Sequence, residues 1–347
     1  MQTLILDEPG ALRLADTDEP LLPGEPLAAG EAWVRVHRVG VCGTDIHAYA
    51  GRQPFFSYPR ILGHELGVEV LAVGGGVTNV KAGDRCAVEP YVGDCGDCAA
   101  CRQGRTNCCR SMSCMGVHVD GGMRDRIVVP AHKLHPPKDQ SLSYEALALV
   151  ETLGIGRHAV SRAEVQAGES VAVIGMGPIG LTVCQFAKLC GAKLVGLDVS
   201  AERCAKAEAL LGIETMTLAP GSSAAEQWKA AWCDLPLKVF DATGHRDSMQ
   251  GAFDLTDHAG ALTFVGLVLG EIAFDDPSFH RKELTLRASR NSVAADFKAI
   301  LADLEAGRID PTAWITHRCS AAELPGVLED WLKPEAGLLK GVVSFDD

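Results

Sequence analysis

The sequence contains no uninterrupted run of the roughly 18 apolar residues that a membrane helix needs, so a membrane-spanning role is set aside. Its opening residues, Met1-Gln2-Thr3-Leu4-Ile5-Leu6-Asp7-Glu8, have no basic head followed by an apolar stretch, and no export signal is expected. Clusters of Lys and Arg are missing too. With 32 Lys+Arg against 45 Asp+Glu the formal net charge is -13. Such a surface repels polyanions, so no nucleic-acid partner is expected. No internal repeat and no low-complexity segment is found, which leaves no repeat architecture to consider.

What is present is the composition of a soluble globular protein, 47% hydrophobic and 22% charged. At 347 residues the chain exceeds the size at which single cores stop growing, about 250–300 residues, so two domains are expected. Thirteen cysteines in a chain expected to stay in the cytoplasm read as metal ligands rather than as a disulfide framework.

Up to about residue 135 the chain is rich in Gly, Val and Pro. Trp33-Val34-Arg35-Val36-His37-Arg38-Val39 alternates at period two, and Gly67-Val68-Glu69-Val70-Leu71-Ala72-Val73-Gly74 ends in a glycine turn. Short strands at close spacing predict an antiparallel, barrel-like domain. After about residue 150 apolar runs alternate with helical stretches. Val171–Ile174, Leu194–Asp198, Lys238–Asp241 and Ala261–Val265 read as strands, Ala201–Leu211 and Ser248–Thr256 as helices. That order predicts a parallel sheet with right-handed crossovers. From Ala294 the pattern reads helix, loop, helix, and closes on a strand at Gly341–Phe345. The expected division is a β-rich domain over 1–150, rejoined by 296–347, around an α/β domain over 151–295.

Gly175-Met176-Gly177-Pro178-Ile179-Gly180 follows the first buried strand of the α/β part and opens a helix. Gly175 permits a tight turn, Gly177 lets backbone approach a pyrophosphate, and Gly180 allows close helix–strand packing. The helix N-terminus, with Pro178 and Ile179, offers free N–H groups to the anion. Asp198 ends the next strand, where a carboxylate accepts ribose hydroxyls and repels a 2′-phosphate; NAD is therefore expected over NADP. Arg203 lies near enough in sequence to soften that discrimination.

Two cysteine-bearing sets stand out. Cys95, Cys98 and Cys101 sit three residues apart on a Gly-rich loop, followed by Cys108 and Cys109. Four thiolates close a tetrahedral shell and make a structural zinc site, with either Cys108 or Cys109 as the fourth ligand. The second set is scattered: Cys42 in Gly40–His47, and His64-Glu65 in Gly63–Gly67. A thiolate, an imidazole and a carboxylate leave one position open, the composition of a catalytic zinc site.

These motifs, in this order and at these separations, resemble the zinc-dependent medium-chain alcohol and polyol dehydrogenases over essentially the whole chain. The resemblance implies a Rossmann domain, doubly wound on a parallel sheet, plus a GroES-like β-rich catalytic domain. It implies two zinc ions per chain and NAD. The family's C-x2-C-x2-C-x7-C spacing selects Cys95, Cys98, Cys101 and Cys109 for the structural ion. The catalytic ion carries over to Cys42, His64 and Glu65. In the sorbitol- and threonine-dehydrogenase branch a further glutamate approaches the metal, and Glu151 matches it; Thr152 follows where that branch commonly has proline. By the same resemblance Thr44 takes the substrate proton and passes it towards His47, and Lys340 contacts the cofactor pyrophosphate. Relatives are commonly tetramers or dimers, so a homo-oligomer is expected.

Gly51–Arg60, Phe279–Glu283 and Ser289–Asn291 are similar to bacterial L-galactonate (L-gulonate) 5-dehydrogenases. The expected substrate is accordingly a polyol or sugar acid, with sorbitol, galactitol or threonine as alternatives and a non-catalytic dinucleotide-binding protein as the competing class. A substrate carboxylate calls for a cation, for which Arg52, Arg60 and Arg290 are candidates.

Overall fold

Alternation at period two makes Glu31–Val41 the central strand of the first unit, with Ala32, Val34 and Val36 buried on one face. A register shift between Val36 and Arg38 then changes the parity, so that Val39 is buried as well. The computed structural model describes residues 1–21, 25–54 and 56–346. Phe55, within the Gly51–Arg60 segment, lies outside the described residues. The chain divides into two units, Met1–Glu151 with Val293–Asp347, and Thr152–Ser292. Among the described residues, no helix is long and apolar enough to cross a membrane.

In the first unit, Glu31–Val41 pairs antiparallel with Glu65–Val73, Arg126–Pro130 and Lys340–Ser344. Arg85–Val88 and Leu134–His135 extend the sheet beyond Glu65–Val73. Inward residues such as Val34, Leu66, Val68, Ile127 and Val343 share one core with Leu4 and Leu6. The segment expected as a loop after Ala294–Glu305 contains a strand, Ile315–Ser320, parallel to Lys340–Ser344. Its sequence, Ile-Thr-His-Arg-Cys-Ser, hides it: it lies at the end of the sheet with few apolar residues to mark a buried face.

The second unit is a parallel sheet of six strands among the described residues. In spatial order these are Glu214–Thr217, Lys193–Asp198, Ser170–Ile174, Lys238–Asp241, Ala261–Phe264 and Thr285–Ala288. All its pairings are parallel. Counted along the chain the order is 3-2-1-4-5-6, the doubly wound arrangement whose strand order reverses beside the first strand. Ser170–Ile174 is central and its last four residues are buried, which is why it reads as an uninterrupted apolar run.

Candidate active site and metal centres

Cys42 directly follows the central strand and is the N-cap of helix Gly43–Tyr49; its backbone N–H donates to Asp45 Oδ2 at 2.9 Å. His64 and Glu65 arrive from the neighbouring strand, where Glu65 stands opposite Gly40 in the register. The strand pairing thus gathers residues more than twenty positions apart. One ligand atom each from Cys42, His64 and Glu65 lies within 4.8 Å of the other two. His64 and Glu65 are buried, and among the described residues His64 Nδ1 has no hydrogen-bond partner. A converging sulfur, nitrogen and oxygen, one of them on an imidazole with an orphaned buried nitrogen, fit a zinc ion with a position left open.

Three residues that sequence reasoning missed shape this group. Asp45, buried, lies behind the imidazole with Oδ1 3.9 Å from His64 Nδ1 and accepts the N–H of Gly63 at 3.3 Å. A carboxylate in that place favours one ring orientation of a ligating histidine. The C-x-x-D spacing at Cys42–Asp45 resembles a helix-capping box and is the signal that could have found it. Gly40 is the second. A Cβ built there would come within 1.9 Å of Glu65 Oε2, so the carboxylate occupies the space that glycine leaves. The third is Cys114, close enough to feel the charge of His64 and Glu151; burial pushes its thiol up to about 12.

Burial works against the charged form of His64, but Cys42 and Asp45 carry the imidazole well above the ordinary histidine range. Glu151, the second residue of helix Val150–Ala163, is also buried, and burial raises its carboxyl above the usual range against the pull of His64. It lies outside the three-donor group, and Tyr91 Oη donates to its Oε1 at 2.5 Å. Thr152 continues the same helix where proline is common in the sorbitol branch; a first-turn position admits either residue.

Lys340 is in the first unit, 4% exposed, with Nζ 2.6 and 2.7 Å from the two oxygens of Glu65. Desolvation disfavours its charge, yet Glu65 holds its ammonium above the ordinary lysine range. The structure therefore gives this residue a carboxylate partner at the metal group, where the resemblance had suggested a pyrophosphate. Thr44 and His47 share helix Gly43–Tyr49 three residues apart, half-buried and exposed respectively. Arg60 is engaged with Asp120 (3.3 Å) and Ser57 (2.7 Å), while Arg52 and Arg290 are exposed.

The second cysteine set converges as well: Cys95, Cys98, Cys101 and Cys109 offer sulfurs within 4.8 Å of one another. Cys108 is turned to the Arg105 guanidinium at 3.8 Å. The hydroxyl of Ser111 and the N–H of Cys95 pull the Cys109 thiol down to about 6, favouring the thiolate that a metal needs. Four thiols without an open position fit a structural zinc.

In the second unit Gly175 has φ of +97°, which demands glycine, and a Cβ on Gly180 would meet the Gly175 carbonyl oxygen at 1.6 Å. A Cβ on Gly177 would meet nothing within 4 Å. Gly177 is the N-cap of helix Pro178–Leu189 and supplies no side-chain cap, which leaves the first N–H groups of the helix without a side-chain acceptor there and suited to an anion. Asp198 ends its strand buried, accepting the N–H groups of Met176 (2.7 Å) and Ser200 (2.8 Å). Arg203 Nη1 is 4.0 Å from Asp198 Oδ2 on a largely exposed side chain. The loop and its acidic partner suit a dinucleotide.

Comparison with known proteins agrees with both halves. Residues 28–139 match the alcohol dehydrogenase GroES-like domain, and residues 178–306 match the zinc-binding dehydrogenase family. The chain is 40% identical over 347 residues to the L-galactonate-5-dehydrogenase of Escherichia coli K12, covering 99% of each protein. It is 31% identical to a sorbitol dehydrogenase of Bacillus subtilis over 93% of this chain and 92% of that one. An alcohol dehydrogenase of Escherichia coli CFT073, solved with NADH, superposes with a TM-score of 0.90 at 27% identity over 99% of each chain. The chain belongs to the zinc-dependent medium-chain alcohol dehydrogenases, a family of oxidoreductases.

Proposed function

We propose that the protein oxidises a secondary hydroxyl of a sugar acid or polyol with NAD, and that its substrate is an aldonate of the L-galactonate or L-gulonate type, oxidised at C5. The observation that carries the chemistry is the convergence of Cys42, His64 and Glu65, with no fourth donor in the group among the described residues. The substrate class is supported by the 40% identity, over nearly the full chain, to an L-galactonate-5-dehydrogenase.

In this reading Cys42, His64 and Glu65 hold the catalytic zinc and the four thiols hold the structural one. When bound, the catalytic ion lowers the pKa of a coordinated hydroxyl. Thr44 Oγ1 receives the substrate proton, since a hydroxyl accepts and donates at once. His47, exposed three residues further along the helix, delivers that proton to water. Asp45 keeps the His64 ring oriented, and Lys340 keeps the Glu65 carboxylate charged and in place. In the second unit Gly175, Gly177, Pro178, Ile179 and Gly180 cradle the pyrophosphate, and Asp198 takes the adenosine ribose hydroxyls and disfavours a 2′-phosphate. Arg203 flanks Asp198 and narrows that preference. NAD, when bound, is the hydride acceptor.

The ligating thiols call for a reducing compartment, which supports a cytoplasmic enzyme. Strand Thr285–Ala288 at the end of the parallel sheet, with exposed Leu286, and exposed Leu267 and Leu269 support a homo-oligomer, a dimer or tetramer.

The test is NADH formation with L-galactonate, L-gulonate, sorbitol, galactitol and L-threonine. The two aldonates are expected to give the highest kcat/KM. A preference for sorbitol, galactitol or threonine would replace the substrate, and no turnover with any member would remove the proposed class.

A further inference from the structure

Three buried carboxylates surround His64, and each has a different partner. Asp45 accepts the backbone N–H groups of Cys42 and Gly63. Glu65 is held by both contacts of Lys340. Glu151 accepts the phenol of Tyr91 at 2.5 Å. Only Glu65 belongs to the three-donor group with Cys42 and His64.

Tyr91 is itself firmly seated. It is 2% exposed and lies on the short strand Tyr91–Val92, opposite Cys114. Both ends of the segment that carries it are stapled to one buried lysine: Lys133 Nζ is 2.8 Å from Glu89 Oε1 and 2.8 Å from Asp94 Oδ1. The other Glu89 oxygen meets His135 Nε2 at 3.0 Å, and the His135 ring stacks on Phe297. Glu89 and Lys133 are almost wholly buried, so this clamp is costly to break. The phenol therefore has a fixed position. Glu151, on a flexible side chain with three rotatable bonds, is the partner that can change place.

We propose that Tyr91 is a positioning residue that holds the Glu151 carboxylate back from the Cys42–His64–Glu65 group, so that the fourth position stays open to the alcohol. This rests on the reading of that group as the catalytic metal site. A carboxylate and a substrate oxygen compete for one vacancy, and the phenol tilts the competition by giving the carboxylate another donor. Removing the hydroxyl while keeping the ring leaves a buried carboxylate with one strong donor fewer, and the nearby cation becomes its better partner.

The test uses the full-length protein with zinc kept at the four-thiol site and cobalt(II) at the catalytic site. Tyr91→Phe is expected to shift the visible ligand-field bands to those of a site with a fourth protein ligand and to move their response to added alcohol to roughly ten- to hundredfold higher concentration. Release of the catalytic zinc to a chelator should slow. The KM for the alcohol should rise roughly ten- to hundredfold, the worth of one hydrogen bond to a charged group, with a smaller change in kcat. Glu151→Ala in the Tyr91→Phe background should restore the bands and the alcohol response of the Glu151→Ala single variant. Bands unchanged in Tyr91→Phe overturn the proposal, as does a Tyr91→Phe effect that persists undiminished without Glu151. Failure of the underlying reading looks different: cobalt bands at this site would then survive Cys42→Ala.

Discussion

Gly40→Ala adds one methyl group in front of the Glu65 carboxylate. The backbone at Gly40 is not in the left-handed region, so alanine meets no conformational penalty and its effect is that of the added carbon alone. The carbon would sit 1.9 Å from Glu65 Oε2 and 3.0 Å from Cβ and Cδ of the same side chain. Restoring van der Waals contact near 3.5 Å requires the carboxylate to move by about 1.5 Å. It cannot do so while keeping both contacts with Lys340 and its place within 4.8 Å of Cys42 and His64. A displacement of about 1 Å costs on the order of a hundredfold in rate, and overpacking costs about 1–3 kcal/mol of stability. The assays are metal content, kcat/KM and NADH affinity. The variant should lose the catalytic zinc or at least a hundredfold in kcat/KM, while the four-thiol zinc and NADH binding stay. Two tightly held zinc ions with turnover within a few-fold of the parent would refute the assignment of Glu65.

Other perturbations probe the remaining parts. Lys340→Met leaves a buried carboxylate without its cation, so the metal-free protein should lose about 3–5 kcal/mol in denaturant unfolding, with NADH affinity unchanged. A tenfold weaker NADH affinity would instead support a pyrophosphate role. Cys109→Ser should reduce zinc by one ion per chain and lower the Tm by several degrees, and a full metal complement would refute the four-thiol site. Asp198→Ala should erode the preference for NAD over NADP by roughly tenfold or more, and an unchanged ratio would contradict the role given to this carboxylate. The pH dependence has a definite sign. Against burial, Cys42 and Asp45 raise His64 in the metal-free fold and so favour a bound proton; that contribution is full below the unfolded histidine value and is lost as pH rises through the folded one. Zinc must expel this proton, so its hold strengthens over the same interval. The gap in Tm between zinc-loaded and chelated protein should therefore widen as pH rises above the unfolded histidine value, about 6.5. A constant or shrinking gap would contradict it.

Local rules carry the four inner strands of the second unit but not its end strands, Glu214–Thr217 and Thr285–Ala288, which have too few apolar residues to stand out. Val171–Ile174 is apolar because both faces of a central strand are covered, and the glycines after it are dictated by a turn, a close contact and an open cradle within one loop. Cys95, Cys98 and Cys101 are legible for the same reason, since ligands on one loop need only sequence spacing to converge, whereas the choice of Cys109 over Cys108 rests on the resemblance to the family's spacing. Cys42, His64 and Glu65 are different. Their convergence depends on the register between two strands, and a single sequence does not print register. Gly40 and Tyr91 are hidden on the same ground, as each acts on a residue brought to it by strand pairing or by a loop, whereas Asp45 carries a local signal in its capping-box spacing from Cys42. Lys340 was found as a basic residue near the C-terminal strand, but its partner could be read only once that strand was placed beside Val41. Strand Ile315–Ser320 was lost because a strand at the end of a sheet need not look hydrophobic.

The most direct measurement is anomalous scattering at the zinc edge from crystals of the zinc-loaded protein. Two peaks are expected per chain, one among the four thiols and one bounded by Cys42, His64 and Glu65. A single peak at the thiols, with the other three side chains arranged as found here and no ion between them, would contradict a metal-dependent oxidation.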